Sequence, residues 1–316
     1  MDLVADVLEI SGVRGTIGTC LEAGGSWSVP MAGCSTAVLY AVTAGSAWLG
    51  LEGFSPQWLE LAAGDVVLMP GGPSHVLGSA PGTGTPVADP AVVARAFEAG
   101  GVIRLGAQPT RTRILTISYD CDHTVHTQIL GTLPAVVHIR GDQGEAGFDD
   151  TVRMLGRELS HPGLAGRAVL NSLVDVLLVQ LVRAWLPTQS GHRGTWLGVL
   201  GDPLVHSAME HLHAEPARPW TTTRLAFALD VSRATLSRRF SAATGQSPAA
   251  YLTQWRMDLA AVRLRRTQDP VESVAAAVGY QSVPAFSRAF ARSHGVAPGR
   301  YRTAARDDGR LSASIP

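Results

Sequence analysis

Leu225-Ala226-Phe227-Ala228-Leu229-Asp230-Val231-Ser232, followed by Leu236, Arg238, Phe240, Gly245, Pro248 and Tyr251, is written twice in this chain. The second copy is Val274-Ala275-Ala276-Ala277-Val278-Gly279-Tyr280-Gln281, followed by Phe286, Arg288, Phe290, Gly295, Pro298 and Tyr301. After one inserted residue the offset between copies is constant, which marks one supersecondary unit built twice. Leu225 and Leu229, Leu236 and Phe240, and Phe286 and Phe290 each lie four apart, the spacing of one helix face. The break between helices holds Asp230 in one copy and Gly279 in the other; glycine enters the left-handed region freely, aspartate less so. Ser232 and Ser282 stand where a helix N-cap is needed. Two helices joined by a tight turn, with Arg on the outer face of the second, is the arrangement that lays a second helix into the DNA major groove.

Outward from the repeat, residues 202–302 resemble the DNA-binding domain of the AraC/XylS family of bacterial transcription regulators. The resemblance is carried by Asp202-Pro203, Pro219-Trp220-Thr221, Leu236-Ser237-Arg238-Arg239-Phe240, Gly245-Gln246-Ser247-Pro248, Trp255-Arg256-Met257, Phe286-Ser287-Arg288-Ala289-Phe290 and Pro298-Gly299-Arg300-Tyr301. It implies base-reading positions at Ala234, Ser237 and Arg238 in the first copy and at Val283, Pro284, Ala285 and Arg288 in the second. Arg233, Arg239 and Ser287 lie on or beside the same faces. Arg238 and Arg288 are the residues able to bond guanine O6 and N7 in bidentate fashion, worth about 1–3 kcal/mol of discrimination each. The second head, otherwise apolar, is expected to discriminate less. Between the copies, 248–267 is free of internal Gly and Pro. Twenty residues of helix span roughly 30 Å, close to the ~34 Å turn of B-DNA, so one chain can hold two reading helices in successive grooves. Arg239, Arg256, Arg263, Arg265, Arg266, Arg292, Arg300 and Arg302 are candidates for phosphate contact, against a solvated or internally paired role for some of them.

At 316 residues the chain has room for two domains. Its formal charge is zero, but residues 202–303 carry thirteen Arg against seven acids, +6, while 1–201 carry eleven against seventeen, −6. All 26 basic residues are Arg. A basic C-terminal domain fits a polyanionic partner. The acidic start and the lack of an evident membrane-spanning run point to a cytoplasmic protein with no membrane partner, where Cys20, Cys34 and Cys121 are not a disulfide framework.

The N-terminal part opens with a helix pattern over 1–11, with Leu3, Val7 and Ile10 on one side. Short β-rich runs cut by Gly and Pro follow at 13–20, 27–30, 37–43, 47–51, 58–61 and 65–69, then at 102–105 and 113–119. Gly64, Pro70, Gly72 and His75 resemble, by spacing, the second motif of the cupin superfamily and, more weakly, the cupin-like effector domains of AraC-type regulators. The resemblance places His75 at the mouth of a barrel. Metal-binding cupins need two more His and a Glu from an earlier strand; the matching stretch, 31–45, has neither, so no metal or other cofactor is expected. Cys121 and His123, with His126, read as a polar turn or as part of a sensor. Two helices fill 149–186; the second is apolar nearly all round, with one side for the barrel and one for a second subunit.

The expected architecture is α+β and multidomain: a cupin-like sensor domain (1–148), a helical dimerisation segment (149–187), a linker (188–201), an all-α double helix-turn-helix domain (202–303) and a tail (304–316). The expected function is a homodimeric, sequence-specific DNA-binding regulator, an activator touching RNA polymerase, and not an enzyme. Its signal would be a small molecule near His75, or thiol oxidation or metal binding at Cys20, Cys34, Cys121 and His123. A metal-dependent cupin enzyme is the reading from another class.

Overall fold

The computed structural model describes residues 13–34, 36–51, 58–82, 101–120, 133–142, 147–160, 163–185 and 202–304, with residues 3, 6, 7, 10, 93, 95 and 130 in isolation. The chain forms two compact units. One comprises Arg14–Cys121 and Leu133–Ser190; the other comprises Gly191–Pro316 with Met1–Val13 and Asp122–Thr132. This departs from the expected grouping of 1–148: Leu3, Val7 and Ile10 are buried, and Asp6 reaches His213 at 3.3 Å within the C-terminal unit. The expected linker, the expected tail beyond its first residue, and Cys121 and His123 lie outside the described residues.

The sheet-rich unit contains β1 (Arg14–Gly24), β2 (Ser28–Met31), β3 (Ala37–Ala44), β4 (Ser46–Leu51), β5 (Trp58–Ala62), β6 (Val66–Met69), β7 (His75–Gly78), β8 (Gly101–Gly106), β9 (Thr112–Asp120) and β10 (Val137–Ile139). Six strands pair in the order β10-β6-β3-β9-β1-β8 and four in the order β2-β7-β4-β5. Val38, Tyr40 and Val42, alternate residues of β3, join Leu49, Leu61, Val67, Met69 and Leu77 in one core between the sheets, as the two-residue period of a strand requires. β1 runs four residues beyond its expected end, because Leu21–Gly24 pair in parallel with β8 and Glu22 bonds Arg113 and Arg104 across neighbouring strands. The cupin-like segment folds as the spacing implies: Gly64 (φ +93°) and Gly72 (φ +48°) turn the chain on either side of β6. Asp65 ties that first turn down by accepting from the backbone N–H of Ala62 and of Gly141.

Helices α1 (Phe148–Ser160) and α2 (Gly166–Trp185) complete this unit. Tyr119 donates to the Val174 carbonyl at 2.8 Å, and a Cβ on Gly15 would lie 1.9 Å from Val174 Cγ1, so α2 sits directly on β1 and β9. By length and composition Ala168–Trp185 is enough to cross a membrane, contrary to the expectation that no run would be. Within the unit the same residues have another use: Val174, Leu177, Leu178, Leu181 and Val182 are buried. The opposite face of α2 leaves Val169 and Val176 41% and 45% exposed.

The helical unit contains α3 (Pro203–Ala214), α4 (Thr222–Ala228), α5 (Arg233–Thr244), α6 (Pro248–Arg266), α7 (Val271–Ala277) and α8 (Val283–His294). A last helical stretch covers 298–304. The copies match in detail. Ser232 accepts from Thr235 N and Ser282 from Ala285 N; Gly245 (φ +75°) and Gly295 (φ +74°) end the second helices in the left-handed conformation. Asp230 (φ +53°) and Gly279 (φ +87°) make the turns. Phe240 packs edge-on against Tyr251 at 5.7 Å, and Phe290 against Tyr301 at 5.3 Å.

Candidate nucleic-acid interface and effector cavity

Helix α6 is the brace of the C-terminal unit. Its 19 residues give a rod of about 28 Å. Tyr251, Leu252 and Trp255 are buried near its start, with Tyr251 against Phe240 of the first copy. Met257, Ala260, Ala261 and Leu264 join Val274, Phe286 and Phe290 in the core of the second. Both heads are therefore fastened to one rigid element rather than strung on a loop.

On α5 the inward face is Leu236 and Phe240; Arg233, Ala234 and Arg238 are exposed and Ser237 is half-buried. On α8 Phe286, Ala289 and Phe290 face inward; Pro284 and Arg288 are exposed, and Val283, Ala285 and Ser287 half-buried. Each N-cap serine places these residues on the first turns of its helix, where backbone N–H groups also favour phosphate. Arg233, Arg238, Arg288, Arg292 and Arg300 are exposed, and none has an internal hydrogen-bond or ion-pair partner among the described residues.

Other arginines are committed inside the unit. Arg239 holds Asp202 with both Nε and Nη2, at 2.9 and 2.5 Å, while the same carboxylate caps α3 through the N–H groups of Leu204 and Val205. Those donors, the Arg239 guanidinium among them, keep the Asp202 carboxyl below the usual range against the opposing effect of burial. Arg256 donates to the carbonyls of Pro216 and Arg218, Arg263 pairs with Asp269, Arg265 donates to Tyr301 Oη, and Arg302 to the Asp269 carbonyl. These are struts of the helical unit, as the alternative reading of the phosphate candidates foresaw for several of them.

His213 is buried between the aromatic rings of the first copy, stacked on Trp255 at 3.6 Å. Its Nδ1–H donates to the Asp6 carboxylate, which leaves Nε2 to accept from Tyr251 Oη at 2.7 Å. Burial pulls its pKa down to about 3, so the ring is neutral at pH 7.

In the sheet-rich unit, His75 and Cys34 come together on the wall of a cavity of about 260 Å³, with Tyr40, Met31, Thr116 and Ser118. The His75 tautomer follows from its partners. Nδ1 lies 2.6 Å from the Pro73 carbonyl, which can only accept, so Nδ1 carries the proton; Nε2 then accepts from Tyr40 Oη at 2.8 Å. Burial lowers the His75 pKa and raises that of Tyr40, so both are neutral. The stretch in which a metal cupin carries its other ligands thus presents Tyr40 to His75, and the imidazole lone pair is already used. Among the described residues no three His, Cys, Asp or Glu side chains gather as a metal site. Cys34 is exposed and packs over Gly72. Cys20 lies apart from the cavity, buried on β1, with its thiol pushed up to about 11 by burial and by Glu22; such a thiol is a weak nucleophile at pH 7. The sequence reading missed Tyr40, whose aromatic side chain in the stretch 31–45 was the available signal.

Two helix-turn-helix heads on one brace, in a chain that also carries a sheet-rich unit with a cavity, define a DNA-binding regulator with an N-terminal signal domain. The cupin family matches residues 2–187 and the helix-turn-helix domain family matches residues 225–304. An AraC-like transcription regulator of Streptomyces lividans is 35% identical over 96% of this chain and 98% of its own. The transcriptional regulator MtrA of Neisseria gonorrhoeae is 29% identical over the same shares. Among solved structures, the C-terminal domain of the response regulator AraT of Geobacillus stearothermophilus is 34% identical, covering 33% of this chain and 86% of that one, with a TM-score of 0.32. The chain belongs to the AraC-like transcription regulators.

Proposed function

We infer that this regulator is a cytoplasmic, homodimeric activator whose sheet-rich unit senses a small molecule and whose helical unit reads two successive major grooves. The observation that carries the DNA reading is the pair of exposed arginines, Arg238 and Arg288, at equivalent places on α5 and α8 and without a partner among the described residues. Ala234, Ser237, Val283, Pro284 and Ala285 accompany them as apolar or weakly polar base contacts. Arg233, Arg292 and Arg300 supply phosphate contacts, and Arg239 positions α5 through Asp202. The exposed stripe of α2 around Val169 and Val176 supports pairing with a second copy, and contact with RNA polymerase follows from activation. The 260 Å³ cavity supports sensing of a small molecule. Thiol sensing is a second reading, favoured by the exposure of Cys34 in the cavity wall.

The test is a mobility-shift assay on the promoter fragments adjoining the gene, at low salt, with a reporter assay of the same fragments in cells. A shift weakened in Arg238→Ala together with raised reporter output from the wild type supports an activator. A wild-type protein that shifts none of the fragments contradicts the DNA reading. Reporter induction lost in Cys34→Ser, under oxidant alone, would select the thiol reading.

A further inference from the structure

The lining of the barrel cavity restricts what can occupy it. Its wall, among the described residues, has no Asp, Glu or Arg, and its two ionisable rings, His75 and Tyr40, bond each other and are held neutral by burial. A charged ligand would therefore leave water without a counter-charge to replace its hydration. At interior packing density a cavity of about 260 Å³ holds on the order of ten to fourteen non-hydrogen atoms. Met31, Val38 and Val93 give it an apolar surface. Its fixed polarity comes from one chain of hydrogen bonds. The Pro73 carbonyl takes the Nδ1 proton of His75, so Nε2 takes the Tyr40 proton, so the Tyr40 oxygen can only accept a further bond. The hydroxyls of Thr116 and Ser118 are rotatable and follow whatever binds.

We propose that this cavity binds an uncharged, largely apolar molecule of about that size which donates a hydroxyl hydrogen bond to Tyr40: a phenol or a compact alcohol. The proposal rests on the reading of the sheet-rich unit as the sensor. It names the ligand by three separable properties: neutrality, size and a donor.

The experiment titrates the full chain, by calorimetry, with four probes of similar shape: 4-ethylphenol, 4-ethyltoluene without the hydroxyl, 4-ethylanisole with an acceptor only, and 4-methylbenzoate with a charge. The expected result is that 4-ethylphenol binds at least tenfold more tightly than 4-ethyltoluene or 4-ethylanisole and that 4-methylbenzoate gives no binding. In Tyr40→Phe combined with His75→Leu the phenol should fall to the affinity of the hydrocarbon, and Val38→Phe, which fills the space, should abolish both. Equal binding of phenol and hydrocarbon, tight binding of the carboxylate, or no binding of any probe to the folded wild type overturns the proposal. The wild-type series decides alone if the variants do not fold. A mobility shift on the same samples separates this outcome from the regulator reading. Protein that shifts DNA but ignores the phenol sinks the ligand class only; protein that binds the phenol and shifts no DNA sinks the regulator reading only.

Discussion

At the scale of the residue, the two turns of the C-terminal unit differ in what they tolerate. Gly279 has φ +87°, and a Cβ there would stand 2.7 Å from the Ala217 carbonyl oxygen. Asp230 occupies the matching turn at φ +53°. Gly279→Ala should therefore lower stability by about 2 kcal/mol or more, adding a clash to the usual left-handed penalty, whereas Asp230→Gly should change it by less than about 1 kcal/mol; denaturant melts of the two variants check this. Arg238 and Arg239 are neighbours with opposite duties. Arg238→Ala should cost about 1–3 kcal/mol of operator affinity and relax one base position, with an unchanged melting curve. Arg239→Ala should lower the melting temperature, because Asp202 loses its bidentate partner, and should leave base preference alone. His213 adds a pH dependence. Its folded pKa is depressed to about 3 from an unfolded value near 6.5, so the stability it confers is complete above pH 6.5 and is lost as pH falls toward 3. The loss approaches about 1.4 kcal/mol per unit. Chemical melts of the full chain between pH 7 and 5 should show that slope, and His213→Phe, which keeps the stack on Trp255, should flatten it.

At the scale of the element, the C-terminal helices were legible because each is announced locally. Ser232, Ser247 and Ser282 cap, Gly245 and Gly295 stop, and Leu236, Phe240, Phe286 and Phe290 keep helical spacing. The strands of the sheet-rich unit were legible from alternation and from Gly and Pro, with three exceptions. β7 and β10 fall outside the expected runs because three or four residues carry too little pattern, and the end of β1 was missed because its pairing with β8 spans some eighty residues. The cavity was half legible: the spacing Gly64 to His75 pointed to His75, but its bond to Tyr40, 35 residues away, is a tertiary fact that no local pattern carries. The same holds for Arg239 and Asp202, 37 apart. Helix α2 carries a prediction of its own. Val174, Leu177, Leu181 and Val182 face inward while Val169 and Val176 do not, so Val169→Asp with Val176→Asp should turn the dimer into monomer in sedimentation equilibrium without lowering the melting temperature. A monomeric wild type would remove the proposed dimer.

At the scale of the whole molecule, a chain of zero formal charge keeps its positive charge where a polyanion must dock. Arg239, Arg256, Arg263, Arg265 and Arg302 are engaged by carboxylates, carbonyls or a tyrosine of their own unit, and the proposed DNA contacts fall to the exposed Arg233, Arg238, Arg288, Arg292 and Arg300. With α6 giving a brace of about 28 Å tied into both heads, one chain should read two grooves one turn apart. Methylation interference on a bound operator measures this directly. The expected result is two clusters of guanines whose N7 methylation blocks binding, centred about 10 base pairs apart on one face of the duplex, with Arg238→Ala erasing one cluster and Arg288→Ala the other. A single cluster, or two on opposite faces, would contradict it.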